Sequence, residues 1–225
     1  MFKRLWIPVT GTSWRNIAFR LVVLQIGLML YGFAISFMVD ADIGASPWDV
    51  LGLGVAMHTP FSFGVASVLI SVVVLVLWLP LRQKFGLGSL LNGLTVGLWA
   101  DVGRWFTVTP DAWWLAWLQF LFGMVLLAWA TAMYVSAGYG PGPRDGLMTG
   151  LTRVTKWPLW VVRTLLEITV VIIGFALGGP VWFGTVVFAL AIGPLIQMFL
   201  PWWQKWMRAH AARDRRRLGE EPEAA

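Results

Sequence analysis

Apolar residues gather in six long stretches, at residues 20–39, 60–81, 86–105, 113–135, 158–177 and 181–200, separated by short polar or Pro- and Gly-containing breaks. Each approaches the ~20 residues that a helix needs to cross a hydrocarbon core of ~30 Å. None alternates residue by residue as a strand of a membrane barrel does. The pattern predicts six transmembrane helices. Two shorter apolar stretches, 47–58 and 143–155, would form helices only about 18–20 Å long, too short for that core. They are expected as re-entrant half-helices, the alternative being thin, tilted full spans.

The same pattern occurs twice. Sliding the chain by 96 residues aligns 27–102 with 123–198 without a gap and gives 18 identities in 76 positions. They include Gly27 with Gly123, Gly44 with Gly140, Pro47 with Pro143, Asp49 with Asp145, Gly54 with Gly150, and Gly97 with Gly193. Each copy reads as span, broken element, span, span. Three spans are an odd number, so the second copy must enter the membrane upside down, which makes the halves inverted repeats. Four true spans per copy would make them parallel instead. For glycines inside spans, close helix packing accounts for the matches without any functional role.

Charge sets the orientation. With six spans, Lys3, Arg4, Arg15, Arg20, Arg82, Lys84, Arg153, Lys156 and the six basic residues from Lys205 to Arg217 fall on one side, and Arg104 alone falls in the outer loops. By the positive-inside rule both termini are cytoplasmic, whereas eight spans would move Arg82 and Lys84 outside. The segments are then a cytoplasmic 1–19, a first repeat 20–105, an outer linker 106–112, a second repeat 113–200 and a basic amphipathic tail 201–225. The start of the chain lacks an early apolar run and is expected to be retained. The tail is expected to lie along anionic lipid, and its last residues, EEPEAA, to be disordered.

The broken elements carry the candidate chemistry. They read DADIGASPWDVLGLG from Asp40 and SAGYGPGPRDGLMTG from Ser136. Ser46 suits an N-cap, Pro47 the first helical position, and Asp49 the third, where a carboxylate reaches back to the cap amide. If Pro47 and Pro143 start half-helices, their free amides and positive dipole ends meet near the midplane and favour anionic or polar groups. Irregular backbone at that depth is tolerated only against protein or a wet cavity. The proposed substrate-binding residues are therefore Gly44, Ser46, Pro47, Asp49, Gly140, Gly142, Pro143, Arg144, Asp145 and Glu167. For Asp49 and Asp145 the plainer role is capping. Arg144, which replaces Trp48 of the first copy, needs a partner inside the membrane if α6 is re-entrant, whereas with eight spans it lies at an interface and snorkels. Glu167 is the leading partner, with Asp49 and Asp145 as alternatives. Asp101 falls near a span end and reads as a mouth or cap residue.

Composition removes other classes. The chain has 225 residues, 58% hydrophobic and 12% charged, about half the charge of a soluble domain. The net charge of +6 follows the membrane face and marks no nucleic-acid groove. Without cysteine there is no disulfide, thiolate metal site or cysteine nucleophile. His58 and His210 stand apart from any ligand cluster, so no metal or other cofactor is expected. Gly138, Tyr139 and Gly140 spell part of a potassium filter but lack a pore helix before them. No set of nucleophile, base and orienting group stands out, and the chain is not expected to be an enzyme.

With GASPWDVL at Gly44 and GYGPGPRDGL at Gly138 in view, the sequence resembles the YczE type of bacterial membrane protein, with the related YitT and YyaS groups. The paired G-x-x-P-x-D motifs at Gly44, Pro47, Asp49 and Gly140, Pro143, Asp145 carry the resemblance. It implies an integral membrane protein and assigns no substrate or functional residue. The expectation is an all-α polytopic membrane protein of the bacterial cytoplasmic membrane, acting as a small secondary transporter or channel. Its solute is small and anionic or zwitterionic, and is held between the repeats. The alternative is a non-transporting subunit that docks a protein partner through its basic face. Expected partners are the bilayer and a polar solute, with room for a homo-oligomer or protein partner and none for nucleic acid.

Overall fold

The computed structural model describes residues 13–217, and among them it is all-helical. The helices are α1 (Trp14–Asp40), α2 (Pro47–Met57), α3 (Phe63–Leu77), α4 (Leu87–Gly103), α5 (Trp113–Ser136), α6 (Pro143–Thr155), α7 (Leu159–Ala176) and α8 (Phe183–Arg217). Every apolar stretch read from the sequence forms a helix in its expected place. Lys3, Arg4 and the final EEPEAA lie outside the described residues.

Lengths differ from expectation in two places. Helices α1, α5, α7 and α8 are long and apolar enough to cross a membrane, whereas α3 and α4 have 15 and 17 residues. Turns around Pro60 and Pro80 take up the flanking apolar residues. In addition, the tail is not a separate element. Helix α8 runs 35 residues through Pro194 and Pro201 into the basic segment, although each proline removes a backbone donor. Packing holds it together: Trp129 of α5 lies 5.1 Å from Trp202 and 5.5 Å from Trp203 between ring centres, and Phe19 of α1 lies 5.3 Å from Trp206.

Helices α1 and α5 cross at the centre in opposite directions. A Cβ on Gly27 would fall 2.9 Å from that of Tyr134, and one on Gly123 would fall 2.8 Å from the Ala34 carbonyl. Glycine at both points lets the backbones touch. Helix α4 runs parallel to α1, with Gly32 against Val96 and Gly103 against Ser36. Helix α8 runs parallel to α5, with Gly184 beside Phe120 and Phe199 beside Trp129. Leu24, Leu28, Ala34, Met38, Phe120, Ala128 and Ala132 form the core between them. At one end of the molecule Ser13 donates to Asp214, joining the start of α1 to the end of α8.

Helices α2 and α6 flank this layer, and each leaves and rejoins the same end of the molecule. His58, after α2, reaches the Leu177 carbonyl at the end of α7. The following turn meets the end of α4, where the Gly64 amide donates to Asp101 at 2.8 Å. Helix α6 returns to the α3–α4 turn at the opposite end, where Gln83 donates to Thr149 and Arg153 to the Leu81 carbonyl.

The duplication recurs in the backbone. Positive φ occurs at Asp42 and Gly138, Gly44 and Gly140, and Arg82 and Gly178, three pairs at the 96-residue offset. Lys156 also has positive φ, but its counterpart is Pro60, whose ring forbids it. The Gly88 amide donates to the Tyr139 carbonyl at 2.9 Å, and its counterpart Gly184 donates to Ile43 at 2.8 Å. Each broken element is thus held by a helix start from the other copy. One contact is unmatched. Helix α3 packs on α4 where Gly64 meets Gly97, but Trp160 takes the place of Gly64 in the second copy, and Gly193 has nothing within 4 Å of a built Cβ.

Candidate functional site

The first broken element is shaped by Gly44, at φ +116, where a Cβ would fall 2.8 Å from the Thr185 amide nitrogen. Only glycine takes that conformation without strain. The chain then straightens, Ser46 caps α2 by accepting from the Asp49 amide at 3.3 Å, and Pro47 opens the helix. The Ser46 hydroxyl in turn donates to the Asp49 carboxylate. Asp49 thus joins the cap through the Ser46 hydroxyl, whereas the expectation was a bond to the cap amide.

The second element repeats the turn at Gly140, φ +115, but its cap differs. Gly142 offers no side chain, so Asp145 has no cap hydroxyl to bind. Instead the Tyr134 hydroxyl donates to Asp145 across a long 3.5 Å. The bare Gly142 makes room for this, since a Cβ there would lie 3.0 Å from that hydroxyl and 3.4 Å from the Asn92 amide. Pro143 is buried, and its carbonyl accepts from the Trp78 indole at 3.0 Å.

These two starts approach head to head. Arg144 lies 3.5 Å from Asp49, and its guanidinium sits 5.3 Å from the centre of the Trp48 ring. Trp48 and Arg144 occupy equivalent positions of the two copies, so their contact falls where the copies meet. The Asp49 side chain is 1% exposed and that of Arg144 24%. A charge so enclosed is stable only when paired, and the aromatic face adds a second attraction for the cation.

Glu167 is not the partner of Arg144, in contrast to the leading expectation. It accepts from Arg163, one turn away on α7, at 2.8 Å. The i, i+4 spacing satisfies it within its own helix, while the packing of α2 and α6 on α3 and α7 brings the start of α6, with Arg144, to Asp49. Of the residues expected from sequence, Ser46, Pro47, Asp49 and Arg144 are brought together. Asp145 stands one residue beyond Arg144, close to Tyr134. Glu167 is held by Arg163 on its own helix and makes no hydrogen bond to the pair. Gly44, Gly140 and Gly142 shape the backbone.

Three participants were not anticipated. Tyr31 of α1 is within electrostatic reach of Arg144, Asp49, Asp145 and Arg163, and its ring centre lies 6.0 Å from that of Tyr134. Tyr31, Tyr134 and Arg163 complete the polar group. The chain has only 3 Tyr against 16 Trp and 14 Phe, and a tyrosine deep in a span needs a partner for its hydroxyl. That scarcity was a usable signal. Arg20 is a further buried cation, 1% exposed. It donates to the Ala137 carbonyl at 2.9 Å, and its guanidinium lies 5.3 Å from the Tyr139 ring centre, so it anchors the entry to the second broken element.

Two cavities lie at the ends of the molecule. One of about 550 Å³ is lined by Asp40, Asp101 and Arg104. There Arg104 pairs with Asp40 at 2.9 Å, and Asp101 accepts from Ser62 and the Gly64 amide, the mouth and cap role expected of it. The other, of about 500 Å³, is lined by the start of α1 and the end of α8. Neither is lined by Asp49 or Arg144.

Residues 18–201 match the model of a family of unknown function, DUF6198. The chain belongs to this family. It is 39% identical over 178 residues to an uncharacterized protein of Haemophilus influenzae, covering 79% of this chain and 82% of that one. It is 30% identical over 177 residues to the uncharacterized membrane protein YczE of Bacillus subtilis, covering 78% and 82%. With YyaS of the same organism it shares 28% identity over 181 residues, covering 78% and 90%. No solved structure matches the chain. The YczE-type resemblance of the paired motifs holds across most of the sequence, and this chain is an all-α membrane protein.

Proposed function

We propose that the protein is a small secondary transporter or channel of the bacterial cytoplasmic membrane, with a site for a small anionic or zwitterionic solute between two inverted repeats. In this reading the chain crosses six times, α2 and α6 are re-entrant, and both termini are cytoplasmic. The antiparallel crossing of α1 and α5, the matched turns and the return of α2 and α6 to the ends they left all support it. The observation that carries the proposal is the buried Asp49–Arg144 pair at the meeting of two helix starts. Buried charges at the junction of repeats are the usual place for a polar solute in such folds.

In the state described, Asp49 neutralises Arg144. A solute carboxylate or other anion competes for the guanidinium, and Asp49 is then left to Ser46 and the α2 amides. The exchange couples solute binding to a carboxylate that can take up a proton. The test is uptake of a panel of labelled small anions and amino acids by proteoliposomes holding the full chain. Arg144→Gln is expected to abolish uptake of the solute that the unaltered protein carries, while the variant still elutes as a folded species. Uptake unchanged in Arg144→Gln would discard the site.

A further inference from the structure

The cavity between the start of α1 and the end of α8 is separate from the proposed transport site, and three features give it a chemistry. First, Arg15, Arg213 and Arg217 line it with a single carboxylate, Asp214. That carboxylate is already engaged: it accepts from the Ser13 amide at 3.1 Å and from the Ser13 hydroxyl at 2.6 Å. These bonds hold its carboxyl below the ordinary carboxylate range. The cavity therefore keeps an excess of positive charge.

Second, Asn16 lines the cavity while only 1% exposed, and neither its amide nitrogen nor its amide oxygen has a hydrogen-bond partner. Buried amides are almost always bonded, and leaving both ends open costs the desolvation of each. A ligand that brings both an acceptor and a donor would satisfy them. Third, this end carries exposed Trp14, Trp202 and Trp206, residues that settle at the level of lipid headgroups. The cavity then opens among phosphates.

We propose that this cavity binds the glycerophosphate headgroup of an anionic phospholipid, and so clasps the first helix to the tail. Phosphate oxygens meet the three arginines and the Asn16 amide hydrogens, and a glycerol hydroxyl donates to the Asn16 oxygen. The site differs from the diffuse attraction of a basic tail to a charged surface, because it selects a headgroup by shape and by a buried amide.

Thermal unfolding of the full chain in a neutral detergent tests this, with phosphatidylglycerol, phosphatidylcholine or inorganic phosphate added. Phosphatidylglycerol is expected to raise the Tm saturably and more than phosphatidylcholine does. Arg213→Gln with Arg217→Gln, both on the exposed tail, should shift the half-saturating lipid concentration upward by about fivefold for each charge removed. Asn16→Ala should remove the preference for phosphatidylglycerol over phosphatidylcholine. An equal response to both lipids, or an unchanged half-saturation in the arginine variant, overturns the proposal. So does the full Tm shift with inorganic phosphate alone, which would assign the cavity to a free anion.

Discussion

Asp49 and Arg144 form the most enclosed ion pair among the described residues, and each is the other's ion-pair partner. Truncating Arg144 to Ala leaves a nearly fully buried carboxylate with Ser46 as its remaining side-chain partner. Breaking such a pair costs about 3–5 kcal/mol. Neutralising both ends, Asp49→Asn with Arg144→Gln, should recover a large part of that loss. Denaturant unfolding of the two single variants and the double variant reads the coupling directly, and losses that simply add would show that the two side chains do not interact. How much of this site was legible follows from distance along the chain. The Ser46, Pro47, Asp49 spacing is local, and it disclosed the cap. The partner of Arg144 is not local: its carboxylate lies 95 positions away, and only the packing of α2 and α6 on α3 and α7 chooses it over Glu167. Tyr31 and Arg163 escaped notice for the same reason, since each becomes polar company only when α1 and α7 close around the broken elements.

Among the helices, the difference between the two copies is as informative as their likeness. Gly64 and Gly97 press α3 onto α4, and a Cβ at Gly64 would fall 2.2 Å from the Gly97 carbonyl oxygen. Gly64→Ala should therefore destabilise by about 1–3 kcal/mol through overpacking. Gly193 has open space around it, so Gly193→Ala is expected to be neutral, or stabilising by up to about 1 kcal/mol from helix propensity. Comparison of Tm for the two variants checks this, and equal losses would contradict the separation of α7 from α8. Repeat matching predicts two glycine seams. The bulk of Trp160 in place of Gly64 shows why the second is missing, a detail visible in the alignment once the contact is known. The tail reads as a separate element because apolar residues give way to basic ones after Leu200, yet α8 runs on through Pro194 and Pro201. Its tryptophans override them by packing on α5 and α1.

For the whole molecule, the duplication and the positions of the eight helices among the described residues were legible, because hydrophobic runs and a gapless 96-residue offset are properties of the sequence itself. The interlocking was not: each broken element is clasped by a helix start from the other copy, through Gly88 and Tyr139 in one case and Gly184 and Ile43 in the other. This exchange ties the halves at two points besides the contact of Trp48 with Arg144. The central claim is that the two copies insert in opposite senses, so that these contacts fall inside the bilayer. Its most direct test uses the absence of native cysteine: single Lys84→Cys and Trp182→Cys variants, exposed in the α3–α4 and α7–α8 turns, are labelled with an impermeant thiol reagent in sealed, right-side-out vesicles. The account predicts that Trp182→Cys is labelled from outside while Lys84→Cys reacts only after permeabilisation. Labelling of both from the same side would contradict it.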